Sequence, residues 1–248
     1  MAIIIAKELT KGERANLDLN VFHVGLGWDV NDGASPYPFD LDVEAFMLAS
    51  NKKLLNDDYL VYYNSGVDYD SGHPDAAKAP YRLDPADLEH LQPFDSDKYH
   101  AYLDDDNVQH SARDAWREQT RPVSPDWSVI GSIDDTDGET SADGDDETLD
   151  INLEKVDPAI QEIVICVSIH EWQKRKQNFG QVERAYVRIF KPGQKEGEGE
   201  YIYDLTEDFS ACASVEFCRL YRHNGGWKIQ ALGIGHQGGL EELVGKYQ

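Results

Sequence analysis

Residues 162–169 read EIVICVSI, a nearly continuous apolar run in which most side chains are β-branched. Such a run is typical of a strand buried on both faces, so it predicts a central strand of a sheet. Residues 148–153 alternate polar and apolar positions, which predicts a half-buried strand. Further strand-like runs occupy residues 19–26, 41–49, 59–63, 184–190, 200–203, 214–221 and 227–234. Because turns rich in Gly, Asn or Asp separate these runs, the chain predicts an all-β, antiparallel β-sandwich.

The C-terminal part of the sequence contains two further local signals. Residues 223–226 (HNGG) predict a hairpin turn between the last two strand-like runs, because Asn and Gly tolerate positive φ. Leu240, Leu243, Val244 and Tyr247 recur at helical spacing and predict a short C-terminal helix.

Residues 66–130 differ in composition from the rest of the chain. They contain six of the ten prolines and four of the eight histidines, but only two of the twenty glycines. Strand periodicity is lost there, and short helices are predicted near residues 84–91 and 108–118. We therefore predict one domain over residues 1–248, with a partly helical insertion at residues 66–130.

The charge balance limits the classes of partner. Asp and Glu number 47 against 23 Lys and Arg, which gives a formal net charge of −24. This charge disfavours nucleic acid and anionic membrane surfaces, and it favours cations. Three cysteines without a CxxC motif predict reduced thiols. Since no targeting segment or membrane-spanning run is visible, we expect a cytoplasmic protein without direct membrane insertion.

The densest charged stretch is residues 132–150, SIDDTDGETSADGDDETLD. Its nine carboxylates repel one another, and a divalent cation would neutralise them. Calcium fits better than zinc or copper, because the stretch offers oxygen ligands and contains no Cys or His. The alternative is a solvated acidic loop that binds nothing specifically. The carboxylates are those of Asp134, Asp135, Asp137, Glu139, Asp143, Asp145, Asp146, Glu147 and Asp150.

A second group of oxygen ligands lies upstream. Asp40 and Asp42 are two residues apart on a predicted strand, so both side chains point to the same face. Asp29 follows a Gly-rich turn, and Asn64 ends another strand-like run. The strand ends could bring these oxygens together with the acidic stretch, although each residue could instead cap a turn. The candidate metal ligands are Asp29, Asp40, Asp42, Asn64, Asp143, Asp145, Asp146 and Glu147.

Several familiar motifs fail on inspection. An EF-hand alignment puts Glu139 and Asp150 where aspartate and a bidentate glutamate are needed, and a strand follows instead of a helix. His170-Glu171 begins like HExxH but lacks the second histidine. Residues 233–238 match GxGxxG without a βαβ unit. No nucleophile or base with recognisable partners stands out, so we expect a binding protein. A metal-dependent hydrolase or phosphoesterase that uses the acidic cluster is the alternative.

Several segments, in order along the chain, resemble the TerD family of tellurite-resistance and stress proteins. These segments are LTKGERANLDL (9–19), VGLGWD (24–29), PFDLDVEAFML (38–48), DDYLVYYNS (57–65), GDDETLDINLEKVD (144–157), VSIHEWQKRKQNFGQVERAYVRI (167–189), YDLTEDFS (203–210) and EFCRLYRHNGGWKIQALGIGHQGGL (216–240). The resemblance implies a β-sandwich that binds calcium through acidic loops and has no established catalytic activity. It also implies association with other tellurite-resistance proteins in membrane-linked complexes.

The resemblance also places metal ligands on particular residues. The family's DLD motif corresponds to Asp40 and Asp42, and its GDDE motif to residues 144–147, which include Asp145, Asp146 and Glu147. Where the family has paired asparagines after the aromatic strand, this chain has Asn64-Ser65. One coordinating amide is therefore absent from the expected ligand set.

Overall fold

The computed structural model describes residues 7–29, 35–63, 65, 121–132, 145–194, 198–204 and 209–248. Within these ranges, twelve strands form two six-stranded sheets. The strands are β1 (Lys7–Glu8), β2 (Arg14–Asn16), β3 (Val21–Asp29), β4 (Leu41–Leu48), β5 (Leu60–Val61), β6 (Val129–Gly131), β7 (Glu147–Asn152), β8 (Glu162–Ile169), β9 (Glu183–Phe190), β10 (Tyr201–Asp204), β11 (Ser214–His223) and β12 (Gly226–His236). The α-helices are α1 (Trp172–Arg175) and α2 (Leu240–Tyr247), and 3-10 helices span Asp57–Tyr59 and Phe179–Gln181.

The two sheets have separate strand orders. The first sheet runs β1-β10-β9-β3-β7-β6, and the second runs β2-β12-β11-β8-β4-β5. The pairing of β1 with β10 is parallel, and the other strand pairings are antiparallel. The predicted all-β sandwich is confirmed, and the run at residues 162–169 is the interior strand β8.

The main core lies between the sheets and follows the alternation of side chains along the strands. On β3 the inward positions include Phe22, Val24 and Leu26, each fully buried. On β4 they include Leu41 and Met47, which are also fully buried. Apolar area removed from water contributes about 25 cal/mol per Å², so this layer is a main source of the sandwich's stability.

Helix α2 covers the outer face of the second sheet. Its residues Leu243 and Tyr247 pack with Phe46 of β4 and Val164 of β8 in a second apolar cluster. Strands β4 and β8 are therefore buried on both faces, which explains why their sequences are almost continuously apolar. The predicted C-terminal helix is confirmed.

The turn between β11 and β12 is the predicted hairpin. Asn224 and Gly225 have φ values of 51° and 81°. Positive φ at both central residues defines a type I′ turn, whose twist matches the flanking strands. His223 pairs with Gly226 on either side of this turn.

The nine predicted strands are present, but the predicted end of the insertion differs from the structure. β6 lies at the end of the segment predicted as an insertion, and it pairs antiparallel with β7. Val123 and Val129 are buried. Residues 121–130 therefore belong to the sandwich, and the boundary predicted at residue 130 lies too late in the chain. Residues 66–120, with the two predicted helices, lie outside the described residues, so an insertion there stays a prediction.

Candidate functional site

The segment that precedes and begins β7 connects the two sheets at one end of the sandwich. The Asp146 carboxylate accepts a hydrogen bond from the backbone N–H of Trp28 at 2.9 Å, next to the end of β3. The Glu147 carboxylate accepts one from the N–H of Val43 on β4 at 2.7 Å. Since β3 and β4 belong to different sheets, consecutive carboxylates of one segment hold both sheets together. Asp146 and Glu147, two predicted metal ligands, are therefore brought to the same end of the sandwich.

Asp145 has a different environment from its two neighbours. Its carboxylate lies against the Arg188 guanidinium of β9, with Nε–O distances of 2.8 and 3.0 Å. The Asp145 side chain is 5 % exposed and that of Arg188 is 1 % exposed, so this is a buried, bidentate ion pair. A Cβ atom on Gly25 would lie 2.5 Å from Cγ of Asp145, so only glycine at this position leaves room for the carboxylate. The contact that the structure gives Asp145 is therefore a structural ion pair, and its role as a metal ligand stays a prediction.

Asp40 and Asp42 are buried at the start of β4 and contact the segment that follows β8. Asp40 Oδ2 lies 3.3 Å from Nη1 of Arg175 on α1. Asp42 is 2 % exposed, and its Oδ2 lies 3.9 Å from Nδ1 of His170. The two carboxylates therefore differ, because Asp40 contacts an arginine and Asp42 contacts an imidazole.

Glu44 is a buried carboxyl group that the sequence analysis missed. It lies on β4 with no solvent exposure, and Ser168 of β8 donates a hydrogen bond to its Oε1 at 2.5 Å. Its Oε2 has no hydrogen-bond partner within the described residues. Burial raises the pKa of Glu44 to about 8, although the bond from Ser168 acts in the opposite direction. The available sequence signal was a glutamate flanked by apolar residues of the strand, two positions after Asp42.

A second buried carboxylate, Glu216, anchors α2 to the sheet. Tyr247 donates to its Oε2 at 2.7 Å, Lys246 contacts its Oε1, and Nε2 of His236 lies 2.6 Å from Oε1. Burial acts to raise the pKa of Glu216, but these three hydrogen bonds outweigh it and hold the pKa below its usual value. Glu216 therefore remains charged and fixes the end of α2 on the sheet.

The predicted ligands form only part of a metal site. In the part of the chain that the structure describes, no three His, Cys, Asp or Glu residues are arranged to hold a metal ion. The side chain of Asp29, and residues Asn64 and Asp143, lie outside what the structure describes. Asp42, Asp146 and Glu147 supply the oxygen donors that calcium prefers, and Asp40 and Asp145 contact arginines. A calcium site that uses the first three therefore stays a prediction.

The chain is similar to one protein family and to several known proteins. The family profile described as "TerD domain" matches residues 5–73 and 87–247. Tellurium resistance protein TerD of Serratia marcescens is 33 % identical over 226 residues, which cover 90 % of this chain and 85 % of that protein. General stress protein 16U of Bacillus subtilis (strain 168) is 30 % identical over 244 residues, which cover 96 % and 95 % of the two chains.

A solved structure shares the fold. It is a homologue of telluride resistance protein (TerD) from Streptomyces coelicolor A3(2), with a TM-score of 0.56 and 14 % identity, and the match covers 91 % of this chain and 95 % of that one. Among the described residues, no helix is long and apolar enough to span a membrane. The profile match over most of the chain and the two relatives that align along nearly its whole length establish that this protein belongs to the TerD family.

Proposed function

We propose that this protein is a calcium-binding, non-catalytic stress-response protein of the tellurium-resistance type, which acts by assembling with partner proteins. The relatives are named for tellurium resistance and general stress, which supports the class. The observation that supports the calcium assignment is that Asp146 meets the end of β3 at Trp28, while Glu147 meets the start of β4 at Val43, the residue after Asp42. A divalent cation at that end of the sandwich would offset the repulsion among these carboxylates.

This proposal assigns fewer residues as calcium ligands than the sequence predicted. In this proposal Asp42, Asp146 and Glu147 bind the ion. Asp40 and Asp145 stabilise the surrounding structure, Asp40 through its contact with Arg175 and Asp145 through its contact with Arg188. Calcium takes 6–8 oxygen ligands, so three carboxylates need help from other groups. Asn64 and Asp143 are the predicted candidates, and Asp29 adjoins Trp28, whose N–H holds Asp146. When bound, calcium would neutralise the cluster and fix the segment between the sheets.

The partners and place of action belong to the same proposal. Other tellurite-resistance proteins in a membrane-linked complex are the proposed partners, and the cytoplasm is the proposed compartment. The three cysteines are free thiols, which supports a reducing compartment.

Thermal unfolding in EDTA, magnesium and calcium tests the calcium assignment. Calcium at 100 times its Kd should stabilise the fold by about 2.7 kcal/mol, and magnesium should stabilise it less because it dehydrates reluctantly. An equal Tm in EDTA and millimolar calcium would contradict the proposal. Hydrolysis of a phosphoester in the same samples would support the metal-dependent hydrolase instead.

A double-mutant cycle tests whether the ligands share one ion. Asp42→Asn and Asp146→Asn should each weaken calcium binding measured by calorimetry, and the double variant should lose less than the sum, because ligands of one ion are coupled. Asp18→Asn and Glu154→Gln change exposed carboxylates and serve as matched controls. Strict additivity would assign Asp42 and Asp146 to separate sites.

A further inference from the structure

A groove of about 1000 Å³ crosses the end of the second sheet beside α2. Asp42 and Ser168 lie on its floor, and the segments 169–174 and 238–242 form its walls. Asp42 of β4 pairs with Ser168 of β8, so the floor crosses two neighbouring strands.

The charged groups along the groove are mainly acidic. One carboxylate lies on the floor and three on the walls, against one lysine and one histidine. These groups belong to Asp42, Glu171, Glu241, Glu242, Lys174 and His170. Glu171 and Glu241 are exposed, and the Lys174 ammonium lies 2.9 Å from both Glu171 oxygens. Arg175 Nε also lies 3.6 Å from Glu171 Oε2. Because exposed ion pairs contribute little, a cationic ligand can replace Lys174 as one of the partners of Glu171.

An aromatic wall adds a second element of recognition. A Cβ atom on Gly239 would lie 2.7 Å from Cδ1 of Trp172, so the indole packs closely against the backbone before α2. Tyr63 also lines the groove, and its ring makes an edge contact with His170 at 5.3 Å between centroids. The Trp172 indole is therefore fixed in position beside carboxylates. Such a surface suits a guanidinium group, because guanidinium pairs with carboxylates through two hydrogen bonds and also stacks on aromatic faces.

We infer that this groove binds an extended, arginine-bearing segment of a partner protein. Its volume of about 1000 Å³ accommodates a short peptide, its charge complements a cationic one, and Trp172 favours guanidinium over ammonium. The inference goes beyond calcium binding. The groove shares Asp42 with the proposed calcium site, but the test rests on Glu171 and Glu241, and neither of these is assigned to that site.

The test measures binding of a fluorescein-labelled hexa-arginine peptide by anisotropy, in EDTA and at physiological salt. The groove pair Glu171→Gln/Glu241→Gln is compared with Glu8→Gln/Asp18→Asn, which removes two exposed carboxylates outside the groove lining. We expect the groove pair to weaken binding about fivefold or more, and the outside pair less than about twofold. Equal losses would mean that the peptide binds the overall negative charge, and would overturn the inference.

A further variant should change the affinity for hexa-arginine in the opposite direction. Lys174→Gln should strengthen hexa-arginine binding about twofold, because it leaves Glu171 with only the longer contact to Arg175 and removes a like charge from the groove. Lys155→Gln, at an exposed site outside the groove lining, should change the affinity less. Hexa-lysine should bind more weakly than hexa-arginine. Equal affinity of the two peptides, no saturable binding by the unmodified protein, or no difference between the lysine variants would each overturn the inference.

Discussion

Arg188 and Asp145 form a buried ion pair next to the proposed calcium site. With side-chain exposures of 1 % and 5 %, neither group can recover its charge solvation from water if the other is removed. Asp145→Asn should therefore lower the free energy of unfolding by about 3–5 kcal/mol, measured by urea denaturation in EDTA. Asp18→Asn, at an exposed site, should change it by less than about 0.5 kcal/mol.

The same variant separates the two possible roles of Asp145. If Asp145 pairs structurally with Arg188, the free energy of unfolding falls even in the absence of metal. The double variant Asp145→Asn/Arg188→Met should then recover part of this stability, because no charge remains buried. If Asp145→Asn were as stable as the unmodified protein in EDTA but gained nothing from calcium, Asp145 would be a metal ligand, as the sequence predicted.

Glu44 should make the stability of the protein depend on pH. Burial raises its pKa to about 8, so the folded protein keeps a proton that the unfolded chain releases near its usual pKa of 4.5. The folded state then binds more protons between these values, and the free energy of unfolding falls as the pH rises through this window. Glu44→Gln keeps an oxygen acceptor for Ser168 but cannot ionise.

The pH dependence is measured as the difference between the two proteins in EDTA. Between pH 5 and pH 8 the unmodified protein should lose roughly 3 kcal/mol relative to Glu44→Gln, since each unit of pKa shift corresponds to about 1.4 kcal/mol. Glu154→Gln, at an exposed site, serves as the control. Parallel stability curves for Glu44→Gln and the unmodified protein would contradict a protonated Glu44 at neutral pH.

At the scale of elements, α2 depends on both apolar packing and the Glu216 anchor. The Tyr247 ring packs against Phe46 with 5.0 Å between centroids, and its hydroxyl donates to Glu216. Tyr247→Phe keeps the ring and removes the hydrogen bond to a charged acceptor, so it should destabilise the docked helix by about 1–2 kcal/mol.

Hydrogen exchange measures this effect locally. The amides of α2 should exchange faster in Tyr247→Phe, and those of β8 should change less, because the helix can undock without unfolding the sandwich. Tyr221→Phe is the matched control, since its hydroxyl makes no hydrogen bond within the described residues and its ring lies beneath Arg219. Unchanged exchange in α2 would show that Glu216 does not hold the helix.

Elements with a strong local pattern could be predicted from the sequence, and short elements could not. The long apolar run of β8 predicts a buried strand. Asn224-Gly225 predicts a turn because both residues tolerate positive φ. β1 and β6, of two and three residues, are too short to show a period of two, and they exist because they pair with distant strands.

The same limit applies to the candidate site. The acidic segment is visible in the sequence because its carboxylates are neighbours. No local signal relates Asp145 to Arg188, which lies 43 positions later and reaches Asp145 through the pairing of β3 with β9. Partner assignments of this kind need the tertiary structure.

At the scale of the whole molecule, the segment between β5 and β6 can be tested by deletion. Tyr63 and Pro122 line the same small cavity with Glu147, so the chain leaves the sandwich and re-enters it at nearby points. A short Gly/Ser linker can therefore join Ser65 to Arg121, because loop closure depends only weakly on length.

Two deletions distinguish an insertion from a part of the core. Removal of residues 66–120 should leave a cooperative unfolding transition in calcium, followed by circular dichroism during heating. Removal of residues 66–131 also takes away β6 with Val123 and Val129, both buried, so it should cost at least about 3 kcal/mol more. If the shorter deletion abolished cooperative unfolding, residues 66–120 would be part of the folding core. If both deletions were equally stable, β6 would contribute nothing to the sheet that it borders.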